Sequence, residues 1–194
     1  SNRGKFAYVI TLWGTSREYV LGALVLGHSI RSTGSPHALV CLHTDDVPKA
    51  FRDLLSKVWE LRPIEHVEAS ETLSWPEQAE RFEKVFTKLR GLALVEYEKI
   101  LMMDIDLLVL SNIDDLFQLR PPAAMKRGKN DGPWRVRHGE SIDGRQFFTG
   151  AQQSKYSWGQ GTGINAGVML WQPDEAVLEA MLEEVQDPNH RSHV

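Results

Sequence analysis

Short apolar runs alternating with segments of helical period constrain this chain more than any other feature. Phe6 to Leu12 is such a run, starting close to the N-terminus and ending in Trp13-Gly14-Thr15-Ser16, the composition of a turn. Ser16 is suited to cap a helix that begins at Arg17. From Arg17 to Arg31 the apolar positions Val20, Ala23, Leu24, Gly27 and Ile30 recur at helical spacing. Leu21, Val25 and Leu26 widen that face until most of the helix is expected to be buried, and Gly34 supplies the stop signal. Ala38 to Leu42 is a second run, followed by the turn-rich His43-Thr-Asp-Asp46 and by Ala50, Phe51, Leu54, Leu55 and Val58 at helical spacing. Trp59 to Leu61 reads as a third short strand. A strand, helix, strand, helix order requires parallel pairing. The expected class is α/β, with a single mixed, mostly parallel sheet flanked by helices.

Beyond the irregular Pro63 to Pro76, a further helix is expected to carry Phe82, Val85, Phe86, Leu89 and Ala93 on one face and Arg81, Lys84 and Lys88 on another. It leads into the apolar run ahead of Asp104. Ser111 to Phe117 reads as a capped short helix, and Pro121 to Met125 as an edge strand begun by proline. Lys126 to Gly163 is rich in Gly, Arg, Gln and Ser without a sustained period, as expected of a functional or mobile loop rather than a linker. Gly167 to Trp171 returns to strand character, and Val177, Leu178, Met181, Leu182 and Val185 form a last amphipathic helix. One domain is expected over residues 1–194, since a chain 42% hydrophobic at this length can bury a full core.

Composition removes several function classes. A net charge of -4 with interspersed signs gives no basic field for a nucleic-acid backbone. A single cysteine, Cys41, excludes an internal disulfide and a multi-cysteine zinc site, and its apolar neighbours make it a core residue. No apolar run approaches the roughly 20 residues that span a bilayer, and the N-terminus lacks a secretory apolar block. The expectation is a soluble domain, cytoplasmic in the first instance, with the Golgi lumen as the alternative had an anchor been removed.

The chemistry is concentrated in Lys99-Ile-Leu-Met-Met-Asp104-Ile105-Asp106, where two carboxylates interrupt an apolar run. In open α/β sheets ligands bind beyond the carboxyl ends of strands, and these aspartates fall at such an end. Residues i and i+2 of an extended segment point the same way, so both carboxylates could face one cation. Oxygen ligands in this number suit Mg²⁺ or Mn²⁺ with phosphate oxygens and water. In the plainer alternative, one aspartate caps a turn and the other is solvated. The Arg81, Lys84, Lys88 stripe could support a departing diphosphate or be a solvated helix face. Gly167 would let backbone approach a sugar or would mark a bulge, and Asn165 requires a hydrogen-bond partner if buried. Trp13 and Trp171 could stack on ligand rings, with core packing the commoner role.

The run Lys99-Ile-Leu-Met-Met-Asp-Ile-Asp-Leu-Leu-Val-Leu-Ser-Asn-Ile-Asp-Asp-Leu-Phe117 resembles the Asp-x-Asp block of glycosyltransferase family 8, the glycogenin-like enzymes. Three more stretches are similar to that family, in its order: Gly22-Ala-Leu-Val-Leu-Gly-His-Ser-Ile30, Phe86-Thr-Lys-Leu89 and Ile164-Asn-Ala-Gly-Val-Met-Leu-Trp-Gln-Pro173. The resemblance implies a GT-A fold, a UDP-linked sugar donor, Mn²⁺, and hexose transfer with retention of anomeric configuration to a glycan, protein or lipid acceptor. A homodimer is compatible with it. It implies Asp104 and Asp106 as metal ligands, with Ile105 close to the ribose. Leu12, Trp13 and Tyr19 would hold the base, Arg81 and Lys88 would serve the diphosphate, with Lys88 the catalytic candidate, and Asn165, Ala166 and Gly167 would line the sugar pocket.

Family members carry a Gly-Asp-Gln-like segment and a later histidine, the third metal ligand, within His-x-x-Gly-x-x-Lys-Pro; no such sequence precedes Val194. His190 and His193 come too soon after Gly167 to take that role. The expectation is therefore either a catalytic domain truncated at its C-terminus or one whose missing part is replaced by a partner or another segment, binding donor and metal beside an incomplete acceptor side. Two other readings compete. One is a haloacid-dehalogenase-type phosphohydrolase built on the Asp-x-Asp strand end, although Leu107-Leu108 replaces the usual Gly-Thr. The other is a non-catalytic nucleotide-sugar-binding module. No Gly-rich dinucleotide loop or P-loop lysine motif is present.

Overall fold

The computed structural model describes residues 5–68, 84–127 and 163–187. Strand β1 (Phe6–Leu12) leads through a turn into helix α1 (Arg17–Ser32), whose N-cap Ser16 accepts from the Tyr19 N–H. Gly34, at φ +81°, turns the chain out of the helix toward β2 (Ala38–His43). Helix α2 (Lys49–Leu55) and β3 (Glu60–Pro63) come next, then a 3₁₀ helix (Val85–Ala93) and β4 (Lys99–Met103). A second 3₁₀ helix (Asp114–Gln118), β5 (Ala123–Arg127), β6 (Gly163–Trp171) and α3 (Glu175–Gln186) complete the order.

The six strands form one sheet in the order β3-β2-β1-β4-β6-β5. β1 pairs parallel with β2 and β4, and β2 parallel with β3, whereas β6 runs antiparallel to both β4 and β5. The chain thus builds outward from β1 on one side, then returns to lay β4 on the other. That reversal brings the carboxyl ends of β1 and β4 side by side, the place where open α/β sheets receive ligands.

Both faces of the central strands are covered, which is why they read as continuous apolar runs rather than alternating ones. Tyr8, Ile10 and Leu12 face α1, Trp59 and Phe117, while Ala7 and Val9 join Val40, Leu42, Tyr97, Ile100 and Met102 on the opposite face. Leu26, Ile30 and Ile10 are fully buried where α1 meets the sheet. Each such side chain contributes about 2 kcal/mol, enough to carry the roughly 1 kcal/mol that each interior glycine costs a helix. Cys41 lies in this core, and burial pushes its thiol up to about 12.

At several points the structure departs from the sequence reading. Leu21 and Val25 are exposed on α1 and only Leu26 of the three widening residues is buried, so the buried face is narrower than its composition suggests. The segment expected as an α-helix from Phe82 to Ala93 is a 3₁₀ helix from Val85 that buries Thr87, Gly91 and Leu92. Three residues per turn in place of 3.6 redistributes which side chains share a face. Beyond β4 the backbone does not stay extended: the strand ends at Met103, and Ile105 and Asp106 form a turn. The expected loop from Lys126 to Gly163 lies outside the described residues except at its two ends, which enter β5 and β6. Among the described residues no helix is long and apolar enough to cross a membrane.

Candidate active site

Asp104 is the first residue beyond β4, and its position is set from both sides of the backbone. Its N–H donates to the Gly167 carbonyl of β6 at 2.8 Å, continuing the ladder one residue past the strand. Its carboxylate faces Gly167 as well: a β-carbon on that residue would stand 3.4 Å from Asp104 Oδ2 and 3.0 Å from Asn165 Oδ1. The Gly167 N–H in turn donates to Asn165 Oδ1 at 2.8 Å. Asn165 and Ala166 are exposed, so the Asn165 amide is a surface group whose oxygen is spent on the Gly167 N–H.

Lys88 approaches from the 3₁₀ helix and its ammonium pairs with Asp104 Oδ1. The lysine side chain is 15% exposed and the carboxylate 37%, so the cation is the more enclosed partner. Thr87, fully buried next to it, accepts from the Val67 N–H at 3.1 Å and anchors the segment that presents the lysine. Of the basic stripe expected from the sequence, Lys88 alone among the described residues reaches Asp104. Lys84 caps the 3₁₀ helix from outside, and Arg81 lies outside the described residues.

The end of β1 forms the adjoining wall. The Leu12 side chain is buried in the core with α1, so this residue meets a ligand only through its main chain, whose carbonyl already accepts from the Thr44 N–H at 3.2 Å. Trp13 is half-buried, Gly14 takes φ +77°, and Tyr19 is 52% exposed in the first turn of α1. Asp46, which the sequence marks only as part of a turn, secures this loop. Burial raises its carboxyl pKa, but hydrogen bonds from the Thr44 hydroxyl and the Gly14 N–H, with His66 Nε2 3.4 Å away, bring it below its ordinary value. No sequence signal marks this contact, because it joins two loops through a backbone donor.

Asp106 is exposed and Ile105 is half-buried against the core facing α1. Among the described residues no three His, Cys, Asp or Glu side chains gather as a cation cage. Asp104 and Asp106 are nevertheless of the residue type that Mg²⁺ and Mn²⁺ take, such ions being commonly held by one or two carboxylates with the substrate's phosphates and water. The Asp104 carboxylate is 37% exposed beside Gly167, which is compatible with that use.

A family model described as glycosyl transferase family 8 matches residues 10–188. An uncharacterized protein of Acanthamoeba polyphaga mimivirus is 34% identical over 186 residues, covering 95% of this chain and 61% of that protein. Inositol phosphorylceramide glucuronosyltransferase 1 of Arabidopsis thaliana is 31% identical over 189 residues, covering 96% of this chain and 28% of that protein. The chain thus spans less than two thirds of either. Among solved structures, the galactosyltransferase LgtC in complex with donor and acceptor sugar analogs superimposes with a TM-score of 0.52 at 14% identity, over 93% of this chain and 66% of that one. The mixed, mostly parallel sheet with its flanking helices is that of the GT-A glycosyltransferases.

Proposed function

This chain belongs to glycosyl transferase family 8, and on that footing we propose that it transfers a hexose from a UDP-sugar, with a divalent cation held at Asp104 and Asp106, to an acceptor with retention of configuration. Family membership makes it a glycosyltransferase and displaces the phosphohydrolase alternative. The nucleotide, the cation and the stereochemistry rest on the family resemblance. One observation supports this reading above the others: at the reversal of strand order, Asp104 is presented between a lysine ammonium and Gly167 with its carboxylate 37% exposed.

In this reading each group has a defined task. A bound Mn²⁺ or Mg²⁺ would neutralise charge that builds on the departing diphosphate. Lys88 supplies a second, preorganised positive charge from a largely enclosed position, where it acts more strongly than in water. Trp13 and Tyr19, with the main chain at Leu12, form the base end of the pocket, and Ile105 lies toward the ribose. Asn165, Ala166 and Gly167 form the sugar end, where the Asn165 amide nitrogen can donate to a hydroxyl while its oxygen holds Gly167. Arg81 would add to the diphosphate end. The relatives' names include glucuronosyl and galactosyl transfer, and such differences turn on a few hydroxyl contacts.

The test is a panel of UDP-sugars incubated with the protein and Mn²⁺, with free UDP as the readout. Mn²⁺-dependent release of UDP from at least one sugar is the expected result. UDP binding with no turnover on any donor or acceptor would instead support the non-catalytic module, and no interaction with UDP in any condition would overturn the donor-site reading.

A further inference from the structure

Helix α1 carries no charged side chain in the Val20 to Leu26 stretch, yet it comes nearer to the Asp104–Asp106 turn than a side chain would permit. A β-carbon on Gly22 would stand 2.7 Å from the carbonyl oxygen of Ile105 and 3.6 Å from its carbonyl carbon. The neighbour is main chain, so it cannot rotate aside as the end of a flexible side chain would. Ile105 is the residue between the two aspartates, and a shift of its carbonyl moves both. The same turn is fixed on its other flank by the bond from Asp104 N–H to the Gly167 carbonyl. Further along, the Val109 N–H donates to Ser29 Oγ at 3.0 Å, so the segment after the turn is fastened to α1 a second time. Alanine is the better helix former at an interior helix position; the contact, not the helix, is what calls for glycine here.

We propose that Gly22 is a positioning residue for the carboxylate pair: by letting the Ile105 carbonyl seat directly against α1, it sets where Asp104 and Asp106 stand. This inference rests on the reading of those two residues as cation ligands. Mg²⁺ and Mn²⁺ sites tolerate small displacements poorly, Mg²⁺ requiring near-ideal octahedral geometry, so displacing the turn by a few tenths of an ångström weakens cation binding without touching a ligand.

Calorimetric titration of Mn²⁺ into the UDP-saturated protein, paired with titration of UDP alone, reads the effect. Gly22→Ala is expected to raise the Mn²⁺ Kd about tenfold or more, with a markedly smaller loss of metal-free UDP affinity. Gly27→Ala is the control on the same helix. Its β-carbon would meet Val58 Cγ1 at 2.5 Å and Trp59 Nε1 at 2.7 Å, away from the turn, so it should lower Tm and leave the Mn²⁺ Kd as it was. Should Gly22→Ala not fold, Ser29→Ala releases the second fastening without a clash and is expected to raise the Mn²⁺ Kd a few-fold. Wild-type-like Mn²⁺ binding in folded Gly22→Ala overturns the inference, and so does an unchanged Kd in Ser29→Ala where Gly22→Ala cannot be made. Equal losses of Mn²⁺ and UDP affinity in the Gly22 and Gly27 variants would also overturn it, since that is general loosening of α1. A wild-type protein without Mn²⁺-dependent UDP binding would fail at the earlier step, the cation site itself, and needs no variant to be seen.

Discussion

Replacing Asp104 with alanine should destabilise the protein far more than replacing Asp106, although both belong to one motif. Asp104 is the partner of Lys88, whose side chain is only 15% exposed, whereas Asp106 is exposed on the turn. Two unit charges about 4 Å apart attract by about 4 kcal/mol at an effective dielectric of about 20. Breaking a fully buried pair costs about 3–5 kcal/mol because one charge is left uncompensated. Asp104 is 37% exposed, and water screens that part of the interaction, so about 2 kcal/mol is the expected loss for Asp104→Ala. At about 2–4 °C per kcal/mol for a chain of this size, Tm should fall by about 4–8 °C. Asp106→Ala should remain within about 0.5 kcal/mol of wild type, as exposed substitutions usually do. Urea unfolding followed by tryptophan fluorescence measures all three proteins. Adding Lys88→Met to Asp104→Ala should recover at least half the loss, since the stranded ammonium is then removed. Equal destabilisation by the two aspartate variants, or no recovery in the double variant, would refute the reasoning.

Two further predictions concern groups away from the site. Burial works to raise the Asp114 carboxyl, but hydrogen bonds from Tyr8, Ser35 and Asn112 outweigh it and hold the group below its ordinary value of 3.8. A carboxyl depressed in the folded state adds stability that is complete above its unfolded value and is lost as the pH falls through the folded one. Denaturant unfolding should therefore show a stability loss below about pH 4, and Asp114→Asn should flatten that acid limb while lowering stability at neutral pH. Cys41, with its thiol pushed up to about 12 by burial, should resist an aromatic disulfide reagent in the native protein and react at once in urea. Rapid native labelling would contradict the buried placement.

Much of this architecture can be read from the chain because parallel strands covered on both faces leave continuous apolar runs. Phe6–Leu12, Ala38–His43 and Lys99–Met103 are of that kind. Capping chemistry is equally legible at Ser16 and Gly34. The 3₁₀ helix that presents Lys88 reads as an α-helix, because apolar spacing over a few residues does not separate three residues per turn from 3.6. The extended geometry expected for Asp104 and Asp106 also fails, since nothing at Ile105 announces a turn; the turn lies where α1 approaches the Ile105 main chain at Gly22. Residues that act through backbone contacts, Asp46 on Gly14 and Gly22 on Ile105, escape a sequence reading for the same reason. Their partners are main-chain atoms far away in sequence, and main chain carries no residue-specific mark.

The central claim is that Asp104 and Asp106 hold a cation through which UDP is bound. Isothermal titration of UDP with and without Mn²⁺, on wild type and on Asp104→Ala and Asp106→Ala, addresses it directly. Mn²⁺-enhanced UDP binding is expected in wild type, with loss of that enhancement in both variants, including the well-folded Asp106→Ala. Wild-type UDP binding indifferent to Mn²⁺, or full Mn²⁺ enhancement surviving in either variant, would contradict it.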